Sequence, residues 1–161
     1  MWGSQVSLRV LVVEDDEDWR NILRKQFEQY GCIVTTADSR DSAEASLQRD
    51  AFDIVTLDMG LTTSESEAKI LGIMGGWLML QLLAAEYPQT SIFVVSGYSE
   101  MDPERAFELG RYGVKGFHAK RHFDGHKIKE WVDTVTYAKR SDKPNGESDG
   151  SSGGVYPKVR R

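Results

Sequence analysis

Cysteine is nearly missing from this chain. Cys32 is the only one in 161 residues, so no internal disulfide can form. The fold must be held by a core alone, which suits a reducing cytoplasm. No apolar run approaches the ~20 residues of a membrane-spanning helix. The opening Met1-Trp2-Gly3-Ser4-Gln5 has neither the basic nor the apolar region of a secretion signal and reads, through residue 7, as a loose leader. Positive charge is also short. The net charge is −5. The stretch Lys139 to Arg161 holds six basic against three acidic residues, so it is +3 and residues 1–138 carry −8. An acidic body argues against direct nucleic-acid binding by this domain. No solenoid-type repeat is present. What is present, 40% hydrophobic and 28% charged residues, is the composition of a globular domain long enough to bury one core.

The chain is organised around Phe52-Asp53-Ile54-Val55-Thr56-Leu57-Asp58-Met59-Gly60. Ile54 to Leu57 is a β-branched apolar run that predicts a strand buried on both faces, as in a parallel sheet. Leu8 to Val13 is a second such run. Cys32 to Thr36, Ser91 to Val95 and Val114 to Ala119 complete five strands.

Helical patterns alternate with them. Asp16 is a candidate N-cap for a helix reaching about Tyr30, with Trp19, Ile22, Leu23, Gln26 and Phe27 on one side. Gly31 stops it in the manner of a left-handed glycine. Ser39 or Asp41 starts a second helix, with Ala43, Ala45 and Leu47 as its apolar content. A third spans Trp77 to Tyr87, closed by Pro88. Asp102-Pro103 opens a fourth, running to about Gly110, and His126 to Arg140 is the last, with Ile128, Trp131, Val132 and Val135 inward. This alternation predicts a single doubly wound α/β domain over residues 8–140. Residues 61–76 form an unusually long connection, polar first and then apolar at Ile70, Leu71, Ile73 and Met74; it either folds back or docks a partner. Residues 141–161 read as a disordered tail or a linker stub.

Polar groups follow four of the strands: Glu14 and Asp15 after the first, Asp58 after the third, Ser96 after the fourth, Lys120 after the fifth. In an open α/β sheet these strand ends share one edge, where ligands bind. Clustered carboxylates repel and call for a cation, and hard oxygen donors suit Mg2+. A carboxylate such as Asp58 can attack phosphorus to give an acyl phosphate. Ser96 can donate to a phosphoryl oxygen, and Lys120 can neutralise developing negative charge. His118, His122 and His126 read as exposed histidines rather than a metal cluster, and Cys32 as a small core residue.

Four motifs together, Val12-Val13-Glu14-Asp15-Asp16, Leu57-Asp58-Met59, Val94-Val95-Ser96-Gly97 and Gly116-Phe117-His118-Ala119-Lys120, make the chain resemble the receiver domain of two-component response regulators over about residues 8–138. The resemblance implies a flavodoxin-like fold with strand order 2-1-3-4-5. It implies phosphorylation of Asp58 by a sensor histidine kinase or histidine phosphotransfer protein, and Mg2+ held by Asp15, Asp58 and the backbone carbonyl of Gly60, with Glu14 as the first acid of the pair. By the same matching Ser96 is the switch hydroxyl and Phe117 the aromatic that reports its state, though Phe117 also reads as plain packing. The signalling face then lies around Tyr98, the 103–110 helix and Phe117. A downstream protein target or a separate output domain is implied, and a dimer is allowed.

The chain departs from the family pattern in three places. Arg121 stands where a proline usually follows the lysine. Thr62 lies near the place of another usual proline. The loop leading to Gly76, matched to the glycine of the following helix, is longer than the family norm by about ten residues, beyond typical loop lengths. These departures motivate a competing reading, a receiver-like interaction module with little or no phosphate turnover. A haloacid-dehalogenase-type phosphatase would want a second acid at position 60, where this chain has glycine.

Overall fold

The computed structural model describes residues 6–61, 74–97 and 102–143. Its elements run β1 (Arg9–Val13), α1 (Glu17–Gln29), β2 (Ile33–Ala37), α2 (Arg40–Arg49), β3 (Ile54–Leu57), α3 (Met74–Glu86), β4 (Ser91–Ser96), α4 (Pro103–Arg111), β5 (Val114–Ala119), a 3-10 turn (Lys120–His122) and α5 (Gly125–Ser141). The strands form one parallel sheet in the order β2-β1-β3-β4-β5. This is the doubly wound flavodoxin-like arrangement that the sequence predicts.

Parallel pairing explains why β1, β3 and β4 read as continuous apolar runs. Each has neighbours on both edges and helices on both faces, so side chains of either parity are buried. Leu11, Val13, Val55, Leu57, Ile92 and Val94 face α2, α3 and α4, where they meet Ala43, Leu47, Leu80, Leu83 and Leu109. Val10, Val12, Ile54, Phe93 and Val95 face α1 and α5, against Leu23, Phe27, Ile128, Trp131 and Val132. Cys32 is buried on this second side.

Helix starts follow local chemistry. Asp16 accepts from the N–H of Trp19, Asp102 from that of Arg105, and Asp124 from that of His126. Ser39, not Asp41, caps α2, in a reciprocal box with Ser42. Gly31, at φ 80°, turns the chain out of α1.

Four local expectations are corrected. Ile22 is 38% exposed and not part of the core. In α2 the buried small residue is Ser46, while Ala45 is exposed. The third helix begins at Met74 rather than Trp77, so Gly75 and Gly76, counted with the long connection, are helical, as the matching of Gly76 to the helix glycine implies. Gly76 packs so closely that a Cβ there would lie 2.5 Å from the Cα of Met59; only glycine lets this turn of helix touch the loop after β3. His118 is half-buried rather than exposed: its Nε2 accepts the Asp124 N–H at 2.8 Å, and its ring packs between Phe123 and Trp131. Residues 62–73 of the long connection, Tyr98, the first five residues and the chain after residue 143 lie outside the described residues, as does the side chain of Met74.

Candidate functional site

Parallel strands entering the sheet in the same direction end at the same edge, and there the predicted groups converge. The N–H of Glu14 bonds the carbonyl of Ala37 at 3.0 Å, which locks the end of β1 to β2. The N–H of Asp58 bonds the carbonyl of Val13 at 3.1 Å, which sets the end of β3 beside β1. Carboxylate oxygens of Glu14, Asp15 and Asp58 consequently lie within 4.8 Å of one another. Glu14 and Asp58 are buried, whereas Asp15 is exposed. From the end of β5, Lys120 Nζ approaches Glu14 Oε2 at 2.7 Å and Asp58 Oδ2 at 3.3 Å, with only 13% of its side chain exposed.

The remaining predicted residues take varied positions. The Gly60 N–H donates to Asp58 Oδ1 at 3.0 Å, so this residue reaches the site through its amide. Ser96 ends β4, is 1% exposed and pairs in register with Ala119, the residue before Lys120. Phe117 lies further back in β5, paired with Val94 and packed against the α2/α3/α4 side of the core. His122 and His126 are exposed.

Burial sets the protonation of this edge. It pushes the Glu14 carboxyl up to about 8; the Asp58 charge adds to the rise, and Lys120 opposes it. Burial by itself would lower Lys120, but the hydrogen bonds it donates to Glu14 and Asp58 and the charges of those two acids outweigh it, so its pKa is raised. The result is an ammonium at Lys120 and a Glu14 carboxyl that holds its proton far above the ordinary carboxylate range.

The donor set fits a hard divalent cation. It offers three carboxylates. Glu14 Oε2, though in ion-pair contact with Lys120, has no further hydrogen-bond partner among the described residues. The exposed flank at Asp15 leaves room for the waters that Mg2+ retains.

The roles of two residues at this edge, Arg20 and Trp19, escape a reading of the sequence. Arg20 follows the pattern of a solvent-facing α1 residue, yet its guanidinium donates to the carbonyls of both Glu14 and Asp15 at 3.1 Å and pins the acidic loop. The Asp16 N–H also donates to Glu14 Oε1 at 3.1 Å. Trp19 falls on the apolar side of α1, but its ring lies 5.4 Å from Lys120 Nζ and meets Phe123 edge-on at 5.5 Å. The usable signal was their distance from Asp15: four and five residues on, within the first turn and a half of a helix that starts at the site.

Comparisons with known proteins agree with this geometry. Residues 10–132 match the response regulator receiver domain family. The chain is 27% identical over 145 residues to the response regulator protein FleR of Pseudomonas aeruginosa, covering 90% of this chain and 27% of that protein. It is 39% identical over 82 residues to the virulence sensor protein BvgS of Bordetella pertussis, covering 51% of this chain and 6% of BvgS. It thus spans only a small part of either relative. Among solved structures, the chemotaxis response regulator CheY4 of Vibrio cholerae superposes with a TM-score of 0.65 at 22% identity, over 81% of this chain and 99% of that one, a likeness of fold. With the acidic edge, the lysine and a family match over most of its length, the chain belongs to the response regulator receiver domain family.

Proposed function

We propose that this receiver domain accepts a phosphoryl group on Asp58 and signals through the resulting change at the same edge of the sheet. The carrying observation is that Lys120 Nζ sits 3.3 Å from Asp58 Oδ2 while two further carboxylates stand within 4.8 Å. An Asp58 oxygen attacks phosphorus, a new O–P bond forms, and the bond to the donor's leaving group breaks. The product is an acyl phosphate on Asp58. Lys120 neutralises charge on the transferring group from a position it already occupies, without reorganising. Ser96, at the end of the neighbouring strand, is the hydroxyl proposed to bond a phosphoryl oxygen. A bound Mg2+ would supply charge neutralisation and orient the phosphate oxygens. Asp15, Asp58 and the Gly60 carbonyl are the proposed ligands, and the buried Glu14 would add negative charge beside them.

The donor class is a phosphohistidine on a sensor kinase or a phosphotransfer protein. Ser96 and Phe117 are the proposed switch pair, linked through the β4–β5 register. The phosphorylated state favours one arrangement of that face, which a downstream protein or output domain reads. The proposed setting is the cytoplasm; no helix among the described residues is long and apolar enough to cross a membrane.

The test is incubation with acetyl phosphate or phosphoramidate and Mg2+, followed by intact mass. One phosphoryl addition is expected, absent in Asp58→Asn and abolished by chelation. No addition to the wild-type protein, with partner binding indifferent to Asp58→Asn, would replace this reading with that of a phosphate-independent docking module.

A further inference from the structure

Lys120 has two kinds of neighbour. One is the carboxylate pair, Glu14 Oε2 at 2.7 Å and Asp58 Oδ2 at 3.3 Å. The other is the Trp19 indole, whose ring centre lies 5.4 Å from Nζ. The carboxylates are the groups a divalent ion would claim. The indole offers no hard oxygen donor, so an ion leaves it free to hold the ammonium.

We propose that Trp19 is a positioning residue for the phosphoryl site: its ring face keeps the Lys120 ammonium beside Asp58 when the carboxylates turn to a metal. This rests on the reading of Asp58 as phosphoryl acceptor. The indole is itself held from two sides. The Trp19 main-chain N–H donates to the capping Asp16 Oδ1 at 2.9 Å, which fixes the first turn of α1 and so where the side chain starts. Phe123 meets the ring edge-on at 5.5 Å and 71°. The Phe123 N–H in turn bonds the Lys120 carbonyl at 3.1 Å, so the wall behind the indole is tied to the backbone of the lysine. Trp19 belongs to neither core cluster. It is a large half-buried ring at the β1–α1 and β5–α5 loops, where packing alone does not require an aromatic. The lysine side chain is 13% exposed, and cation–π attraction is strongest when the cation is shielded from water.

The test compares wild type, Trp19→Phe and Trp19→Leu in three measurements on the intact chain. The first is the NMR shift of the Lys120 ε-methylene protons, without and with Mg2+. In wild type they should be moved upfield by the ring and stay upfield after Mg2+ is added; in Trp19→Leu they should sit at the free-lysine position. The second is Mg2+ affinity, expected to agree within about twofold across all three, because the indole binds no metal. The third is beryllofluoride affinity in saturating Mg2+, expected to fall roughly five- to twentyfold in Trp19→Leu, with most of the loss recovered in Trp19→Phe, which keeps a π face. Wild-type beryllofluoride affinity in Trp19→Leu would overturn the proposal. So would a Phe variant as weak as the Leu variant, or Mg2+ affinity falling in step with beryllofluoride. If wild type itself refuses beryllofluoride, the phosphoryl reading fails, and the methylene shifts still decide on their own whether the ring holds the ammonium.

Discussion

Lys120 Nζ lies 2.7 Å from Glu14 Oε2 and 3.3 Å from Asp58 Oδ2, so the ammonium sits nearer the acid that is not the proposed phosphoryl acceptor. Both acids are buried, and Lys120 is the cation that offsets them. One residue is thus both a counter-ion of the resting site and the proposed stabiliser of the phosphoryl group. Those roles respond differently to a metal, and that separates them experimentally.

Replacing the lysine should expose the first role. Lys120→Met keeps the length and removes the charge. Breaking a buried pair by deleting one partner costs about 2–4 kcal/mol, because the other charge is left uncompensated. Urea unfolding in a chelator should show that loss. Saturating Mg2+ should restore most of it, since the ion supplies positive charge at the same carboxylates, while phosphorylation by acetyl phosphate should stay at least ~100-fold below wild type. If Mg2+ returned no stability, the acids would not form a shared cation site.

Glu14 gives the metal-free protein an unusual pH slope. Its folded pKa is raised to about 8, chiefly by burial, against an ordinary value of 4.5. Between these values the folded state binds a proton that the unfolded state has released. Stability contributed by this group therefore falls as pH rises through that window. Most buried carboxylates in ion pairs show the opposite sign. Mg2+ would displace the same proton, so its affinity should rise between about pH 6 and 8 with up to one proton released per ion. Unfolding in a chelator and Mg2+ titration, each across pH 5–8, measure the two slopes. Glu14→Gln should flatten both; an unchanged slope in that variant would assign it to another group.

The acidic edge was legible because its residues end strands. An apolar run that stops on Asp58 or Glu14 announces both the strand and the rim, and β5 announces Lys120 in the same way. The helical half of the site was not. Trp19 and Leu23 share a face of α1 at a spacing of four, yet Leu23 is in the core and Trp19 is at the rim, four residues nearer the helix start. Periodicity fixes which side of a helix faces the sheet and is silent about how far along the sheet each residue lies. Arg20 was hidden for a related reason: a long side chain can turn back past its own helix start to reach backbone carbonyls, and no pattern of polarity records that. His118 was misread because β5 is an edge strand, and its half-burial depends on the start of α5 folding over it.

Thr56 is a polar residue in an apolar place. It sits on β3 between Val12 and Phe93, is 1% exposed, and its hydroxyl has no hydrogen-bond partner among the described residues. An unsatisfied buried hydroxyl costs about 1–3 kcal/mol, and valine has nearly the same shape without it. Thr56→Val should therefore stabilise the domain by about 1 kcal/mol. The urea midpoint should rise with an unchanged m-value, and Mg2+ affinity should stay at the wild-type level. A loss of half that size or more would show that the hydroxyl is satisfied in solution.

Two helical glycines should respond in opposite directions to the same substitution. At Gly110 in α4 a Cβ meets nothing within 4 Å, so Gly110→Ala should gain up to about 1 kcal/mol from helix propensity and reduced chain entropy. At Gly76 in α3 the same methyl would lie 2.5 Å from Met59 Cα, 2.6 Å from its carbonyl oxygen and 2.8 Å from its carbonyl carbon. These are backbone atoms between Asp58 and Gly60, and they cannot rotate away as a side chain would. Overpacking of this kind costs about 1–3 kcal/mol and should outweigh the helix-propensity gain. The strain also falls on the loop that holds the Gly60 N–H against Asp58 Oδ1. Gly76→Ala should thus destabilise the fold, shift the Gly60 amide resonance and weaken Mg2+ binding. Gly110→Ala should leave both the resonance and the affinity unchanged. Equal stabilisation by the two alanines would mean that α3 does not press on the Asp58 loop in solution.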